Sequence, residues 1–195
     1  MHKLASYTGE WDFKTAAHLL RRTTFGATYG EIQEASSLGL DATLDKLLRT
    51  IPTPSPPVYH DYSDDPNAGL GDTWINIPHI DNQSNKSRKR SLLGWMLRLM
   101  TDTRVSIQEK MILFWMNHFA IQSEIIKDAR FLYNFQHQIR LNSLGSFKTL
   151  VEQITVDPSM LRYLNGRDNV VYSPNENYSR ELLELFTIGK GKIDT

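Results

Sequence analysis

Apolar residues recur along most of this chain at three- and four-residue steps, the spacing of helices that bury one stripe. Over 13–22 the stripe is Ala16, Ala17, Leu19 and Leu20, preceded by Asp12, whose carboxylate suits an N-cap. Thr28 and Glu31 have the spacing of a capping box. They open a second helix that ends at Gly39, where glycine supplies a left-handed terminal residue. A third begins at Asp41 and carries Leu44, Leu47 and Leu48. The pattern predicts further helices over 88–100, 105–119, 128–141, 147–155, 158–164 and 174–189, with Asp157 capping and Pro158 filling the first helical position of the 158–164 segment. Neither a fixed repeat nor a sustained period of two interrupts this series. The chain is therefore expected to be all-α, a single helical domain over 1–195 built as an irregular multi-helix bundle.

Between about 51 and 87 the texture changes. Six prolines, Gly69, Gly71 and many Asp, Asn and Ser residues leave no periodicity, which predicts a long loop or insertion. Loops of this length are uncommon inside compact domains and are usually lids, binding loops or insertions. Tyr59, Tyr62 and Trp74 are candidates to cover a pocket, or else to pack.

The 105–119 segment is expected to be the central buried helix. Successive residues turn by roughly 100°, so Val105, Met111, Ile112, Leu113, Phe114, Trp115, Met116 and Phe119 cover nearly its whole circumference. Glu109 falls among Val105, Ile112, Leu113 and Met116, whereas His118 falls among Met111, Phe114 and Trp115, about half a turn away. The two cannot share one metal ion. A buried carboxylate needs a cation, so Glu109 is expected to meet an arginine, with Arg21, Arg22 and Arg180 as candidates. His118 is expected to bond a backbone carbonyl or a carboxylate. On the last helix Tyr178, Leu182, Leu183, Leu185 and Phe186 form an apolar face opposite Asn177, Arg180, Glu181 and Glu184.

Charge and composition narrow the function classes. Lys plus Arg number 22 and Asp plus Glu number 22, so no net field steers a polyanion to the chain, and no nucleic-acid partner is expected. The basic run Lys86-Ser87-Arg88-Lys89-Arg90 reads as solvated surface. Without cysteine there are no disulfides, thiolate nucleophiles or sulfur-bound metals. The longest uncharged apolar run, 111–123, falls short of the roughly 18 residues a membrane span needs, and no signal-peptide pattern opens the chain. Neither membrane insertion, a cofactor nor a metal is predicted. Nucleophile elbows, glycine-rich phosphate loops and His-Glu-x-x-His are all missing from the sequence.

Two strings are long enough to be specific: Glu109-Lys110-Met111-Ile112-Leu113-Phe114-Trp115-Met116-Asn117-His118-Phe119, and Pro174-Asn175-Glu176-Asn177-Tyr178-Ser179-Arg180-Glu181-Leu182-Leu183-Glu184-Leu185-Phe186-Thr187-Ile188-Gly189. Together they resemble the bacterial family catalogued as domain of unknown function 1800. His18-Leu19-Leu20-Arg21-Arg22 with Phe25-Gly26 resembles its opening motif, and Asp157-Pro158-Ser159-Met160-Leu161 with Tyr163-Leu164 matches the segment before its last helix here. The resemblance covers essentially the whole chain. It implies the N-terminal portion of a larger family domain, because members usually continue well beyond Thr195, and it implies possible export to an envelope setting. Members often carry His where this chain has Met116, so the resemblance implies no multi-histidine metal site on that helix. It also implies a surface left open by the remaining part, available to a protein partner or a homo-oligomer.

Two functions follow as expectations. The first is a non-catalytic helical interaction or scaffold domain, with Arg21, Arg22, Glu109, Arg180 and Glu181 as a structural polar network. The second is a hydrolase-like enzyme acting on an envelope polymer, with His118, Glu176, Glu181 and Glu184 lining a cleft under the 51–87 loop.

Overall fold

The computed structural model describes residues 5–60, 62–102 and 105–189, so both ends of the unit expected over 1–195 lie outside the described residues. The fold is all-α. The helices are α1 (Phe13–Thr23), α2 (Tyr29–Leu38), α3 (Leu40–Leu48), α4 (Asn82–Thr101), α5 (Gln108–His118), α6 (Ala129–Asn142), α7 (Phe147–Thr155), α8 (Pro158–Tyr163) and α9 (Glu176–Phe186). Isolated bridges such as Val58 with Thr73 are the only β pairing among the described residues.

Local chemistry sets most boundaries. Asp12 accepts from Thr15 N and Thr28 from Glu31 N, each completing a reciprocal box that satisfies orphan N–H groups at the helix start. Gly39, at φ 88°, both ends α2 and starts α3, a backbone turn that glycine makes without Cβ strain. Helix α4 starts at Asn82, six residues before the predicted start at 88 and ten before its apolar stripe opens at Leu92. Asp81 caps it, and its first two turns bury Ser84, Asn85, Ser87 and Arg88, which hydrophobic periodicity cannot register.

Three apolar clusters hold the chain. Ala16, Ala17 and Leu20 of α1 pack with Ile32, Ala35 and Leu47. Tyr59, Ala68 and Trp74 of the long loop pack with Leu92, Trp95, Ala129 and Tyr133. Ile112 and Phe119 join Phe135, Ile139, Leu150, Ile154, Met160 and the inner face of α9. Helix α6 belongs to the second and third clusters at once, since the Ala129–Tyr133 stripe and the Phe135–Ile139 stripe lie about 120° apart around its axis. It packs against α4, α5, α7 and α8.

That placement corrects the expected centre. The 105–119 segment is not buried on most sides: only Gln108 and Ile112 of α5 are buried, and Phe114 is 54% exposed. Helix α6 is the hub instead, because its two apolar stripes, about 120° apart, each enter a different cluster. The 49–81 loop is packed rather than lid-like. Trp74 and Tyr59 are fully buried, Trp74 Nε1 donates to Ser91 Oγ, and Trp95 Nε1 donates to the Ser55 carbonyl, whereas Tyr62 is exposed.

The basic run also needs correcting. Arg88 is fully buried and its Nε donates to Asp65 Oδ2 at 2.6 Å, while Nη1 donates to the carbonyls of Ile77 and Pro78. Nη2 also lies 2.6 Å from Asp65 Oδ2 but is not aligned for a hydrogen bond, so Nε carries that bond. Tyr59 donates its hydroxyl to the same carboxylate oxygen, and burial, then the Asp65 charge, pushes the phenol up to about 12. Asp65 and Arg88 thereby anchor the loop to α4.

Asp157 caps α8 by accepting from Ser159 N at 2.8 Å, yet it is almost fully buried. Burial outweighs its hydrogen bonds and raises its carboxyl above the ordinary 3.8. A raised acid pKa favours the protonated folded state. Its contribution is therefore present below the ordinary value and is lost as pH rises through the folded value. Asparagine caps equally well without a charge, so Asp157→Asn is expected to gain thermal stability over the parent, with a larger gain at pH 7 than at pH 3. Melting curves at the two pH values test this; a gain that does not change with pH refutes it.

Candidate functional site

Glu109 sits on the first turn of α5 and faces α6. Arg140 grips it with both terminal nitrogens: Nη1 donates to Oε1, and Nη2 to Oε2 at 2.9 Å. The arginine is 2% exposed and the carboxylate 13%, so the pair is nearly dry. Trp95 covers the guanidinium, its ring centroid 5.5 Å from Cζ. Beside it Gln108 links three segments, accepting from Ile51 N at 2.8 Å and donating to the Arg140 carbonyl at 3.4 Å. His137, one turn earlier on α6, stacks on Tyr133; burial, then the Arg140 charge, lowers its pKa.

Over this pair lies a cavity of about 450 Å3, lined by Thr24, Phe25 and Gly26 after α1, by the start of the long loop, and by Ser106 and Glu109. Lys110 ties α1 to α5 here, donating to the Thr24 carbonyl at 3.2 Å and lying 4.6 Å from the Phe25 ring centroid. The segment after His18-Leu19-Leu20-Arg21-Arg22 and the start of the Glu109 string therefore meet in space.

His118 closes α5 inside an aromatic group. It makes edge contacts with Trp115, Phe119 and Phe147 and stacks with Phe114. Its Nε2 lies 2.6 Å from the Phe186 carbonyl oxygen. A carbonyl only accepts, so Nε2 carries the proton. The imidazole fixes the C-terminal end of α9 to α5.

The α9 carboxylates point elsewhere. Glu181 accepts from Asn177 Nδ2 at 2.7 Å, and Arg180 Nη2 donates to Asn177 Oδ1. Glu176 is exposed in the first turn, where it complements the helix dipole. Among the described residues, no hydrogen bond joins His118 to Glu176, Glu181 or Glu184. Nor is any group of three or more His, Asp or Glu side chains arranged to hold a metal ion.

The single network expected from Arg21, Arg22, Glu109, Arg180 and Glu181 is split. Glu109 does meet an arginine, but it is Arg140. Arg21 and Arg22 are exposed on the outer side of α1, and Arg180 with Glu181 forms a local cluster around Asn177. Arg140 was legible in principle, because a helix over 128–141 places it on the stripe of Ala129, Tyr133 and Gln136. What sequence lacked was the neighbour relation of α5 and α6.

Comparison with protein families settles the relationship. A family model described as "Protein of unknown function (DUF1800)" matches residues 18–193. The chain belongs to this family. The match takes in the α1, α5, α8 and α9 motifs, so the Glu109–Arg140 pair and the His118 group both lie in the DUF1800 region. Neither curated proteins nor solved structures give a match to the chain. No helix among the described residues is long and apolar enough to cross a membrane.

Proposed function

We propose that this DUF1800 chain is a non-catalytic helical interaction domain whose contact surface is the apolar turn ahead of α9. The observation that carries the reading is the exposure of that turn. Val170, Val171 and Tyr172 are consecutive, and the last two are 89% and 98% exposed. Scattered apolar surface residues are ordinary, but a run of three at a turn held by the Val170–Ser173 bridge is a presented surface. Tyrosine at a protruding tip is the residue type that dominates protein interfaces.

The internal bonding of the acid–base groups supports the same reading. Arg140 takes up the Glu109 carboxylate, the Phe186 carbonyl accepts the hydrogen bond of His118 Nε2–H, and Asn177 donates to Glu181. A hydrolase acting on an envelope polymer would need His118 beside a carboxylate.

The simplest partner is a second copy of the chain, which binds through its own turn in a two-fold arrangement. Sedimentation velocity over a concentration series is expected to show self-association in the parent. In Val171→Asp/Tyr172→Asp it should weaken at least ~10-fold, since charge at a buried apolar contact costs more than 1.4 kcal/mol. Circular dichroism should stay unchanged. A parent that is monomeric throughout, or one that degrades cell-wall glycan or peptide with a rate lost in His118→Ala, would overturn the reading.

A further inference from the structure

A second cavity, of about 630 Å3, opens between α4, α5 and α6, away from the turn ahead of α9. Its walls are Leu93, Met96, Leu113, Met116 and Ile121. The size falls in the range of small-molecule sites. Methionine walls adapt to a flexible chain.

Two polar features make it more than an apolar crevice. Gln136 of α6 lines it at 1% exposure, and its Oε1 has no hydrogen-bond partner. Buried amide oxygens are nearly always satisfied, so this one is an acceptor awaiting a donor. Lys89 and Arg90 also line the cavity. Lys89 Nζ donates to the Ser123 carbonyl, which leaves ammonium N–H groups free for an anion. Glu124, whose charge reaches Lys89, is exposed and accepts from Ser123 Oγ. Arg90 is exposed, and its charge also reaches Asp64.

We propose that this cavity binds an amphiphile made of an apolar chain, an N–H or O–H donor and an anionic head. The chain lies along Leu93, Met96, Leu113 and Met116. The donor bonds Gln136 Oε1, and the head pairs with Lys89.

N-dodecanoylglycine carries all three parts, and N-dodecanoylsarcosine differs by a methyl that replaces the amide N–H. Calorimetric titration below their micelle concentrations is expected to give one site per chain for the glycine conjugate and ~10-fold weaker binding of the sarcosine one, the effect of one lost hydrogen bond to a buried acceptor. Gln136→Leu should erase that preference. Gln136→Met, with melting curves, provides a second replacement of similar shape should leucine perturb α6. Lys89→Gln should weaken both conjugates and flatten the salt dependence. It should leave self-association through Val171 and Tyr172 unchanged, which separates this test from that of the interaction domain. Equal affinity for the two conjugates, equal affinity for dodecyltrimethylammonium, or no saturable binding would overturn the proposal.

Discussion

Arg140→Met is expected to destabilise the chain by about 3–5 kcal/mol, the cost of stranding a buried charge without its partner. For a chain of this length that lowers the melting temperature by roughly 6–20 °C. Methionine fills much of the arginine volume, so the loss reports the abandoned Glu109 carboxylate rather than a cavity. The arginine also contacts Trp95, and its carbonyl accepts from Gln108 and Ser143, so the pair sits where α4, α5 and α6 meet. The double variant Glu109→Gln/Arg140→Met removes both charges and should recover a substantial part of the loss. Denaturant titration of the parent, both single variants and the double variant measures this coupling. A single variant within about 1 kcal/mol of the parent would mean that the pair contributes no more than an exposed one.

Arg88→Met is expected to release the 49–81 loop. The guanidinium holds Asp65 from one side and the carbonyls of Ile77 and Pro78 from another, so its removal orphans a buried carboxylate and two backbone acceptors together. The penalty, again about 3–5 kcal/mol, falls on one segment. Local opening should therefore precede global unfolding. Thermolysin cleavage within 49–81 is expected to accelerate at least ~10-fold, since 1.4 kcal/mol of opening free energy already corresponds to that factor. Lys86→Met is the control, because Lys86 lies in the same basic run but is exposed. Equal cleavage rates in the two variants would show that Trp74 and Tyr59 hold the loop without the ion pair.

Much of the secondary structure was legible because its causes are local. The Asp12 cap, the Thr28 box, the end of α2 at Gly39 and the Asp157–Pro158 start depend only on residues within one turn, and each stands where the pattern put it. Helix α4 was the least legible, because the residues it buries in its first two turns are polar. Burial of Arg88 depends on Asp65, 23 residues earlier across an irregular loop, and no periodicity encodes that distance.

The same division governs the candidate site. That Glu109 needs a cation follows from placing one carboxylate on an apolar helical face, and that His118 bonds a carbonyl or a carboxylate follows from drawing an imidazole inward; only the packing of α9 on α5 decided for the Phe186 carbonyl. Which arginine serves was misread, because the candidates Arg21, Arg22 and Arg180 left out Arg140, and only the neighbour relation of α5 and α6 selects it. Helix α5 shows the complementary limit. Its hydrophobicity on nearly every side reads as full burial, yet apolar residues also line cavities and surfaces, and Phe114 and Met116 do so here.

By itself the sequence determined an all-α chain, its family, and the demand for internal neutralisation at Glu109, since each is fixed by residue type and short spacing. Tertiary structure alone decided that α6 is the hub, that Arg140 is the partner, and that Gln136 faces an apolar cavity with its oxygen unpaired. Those outcomes depend on which helices become neighbours, a choice made by packing three apolar clusters around one another and not by any local rule.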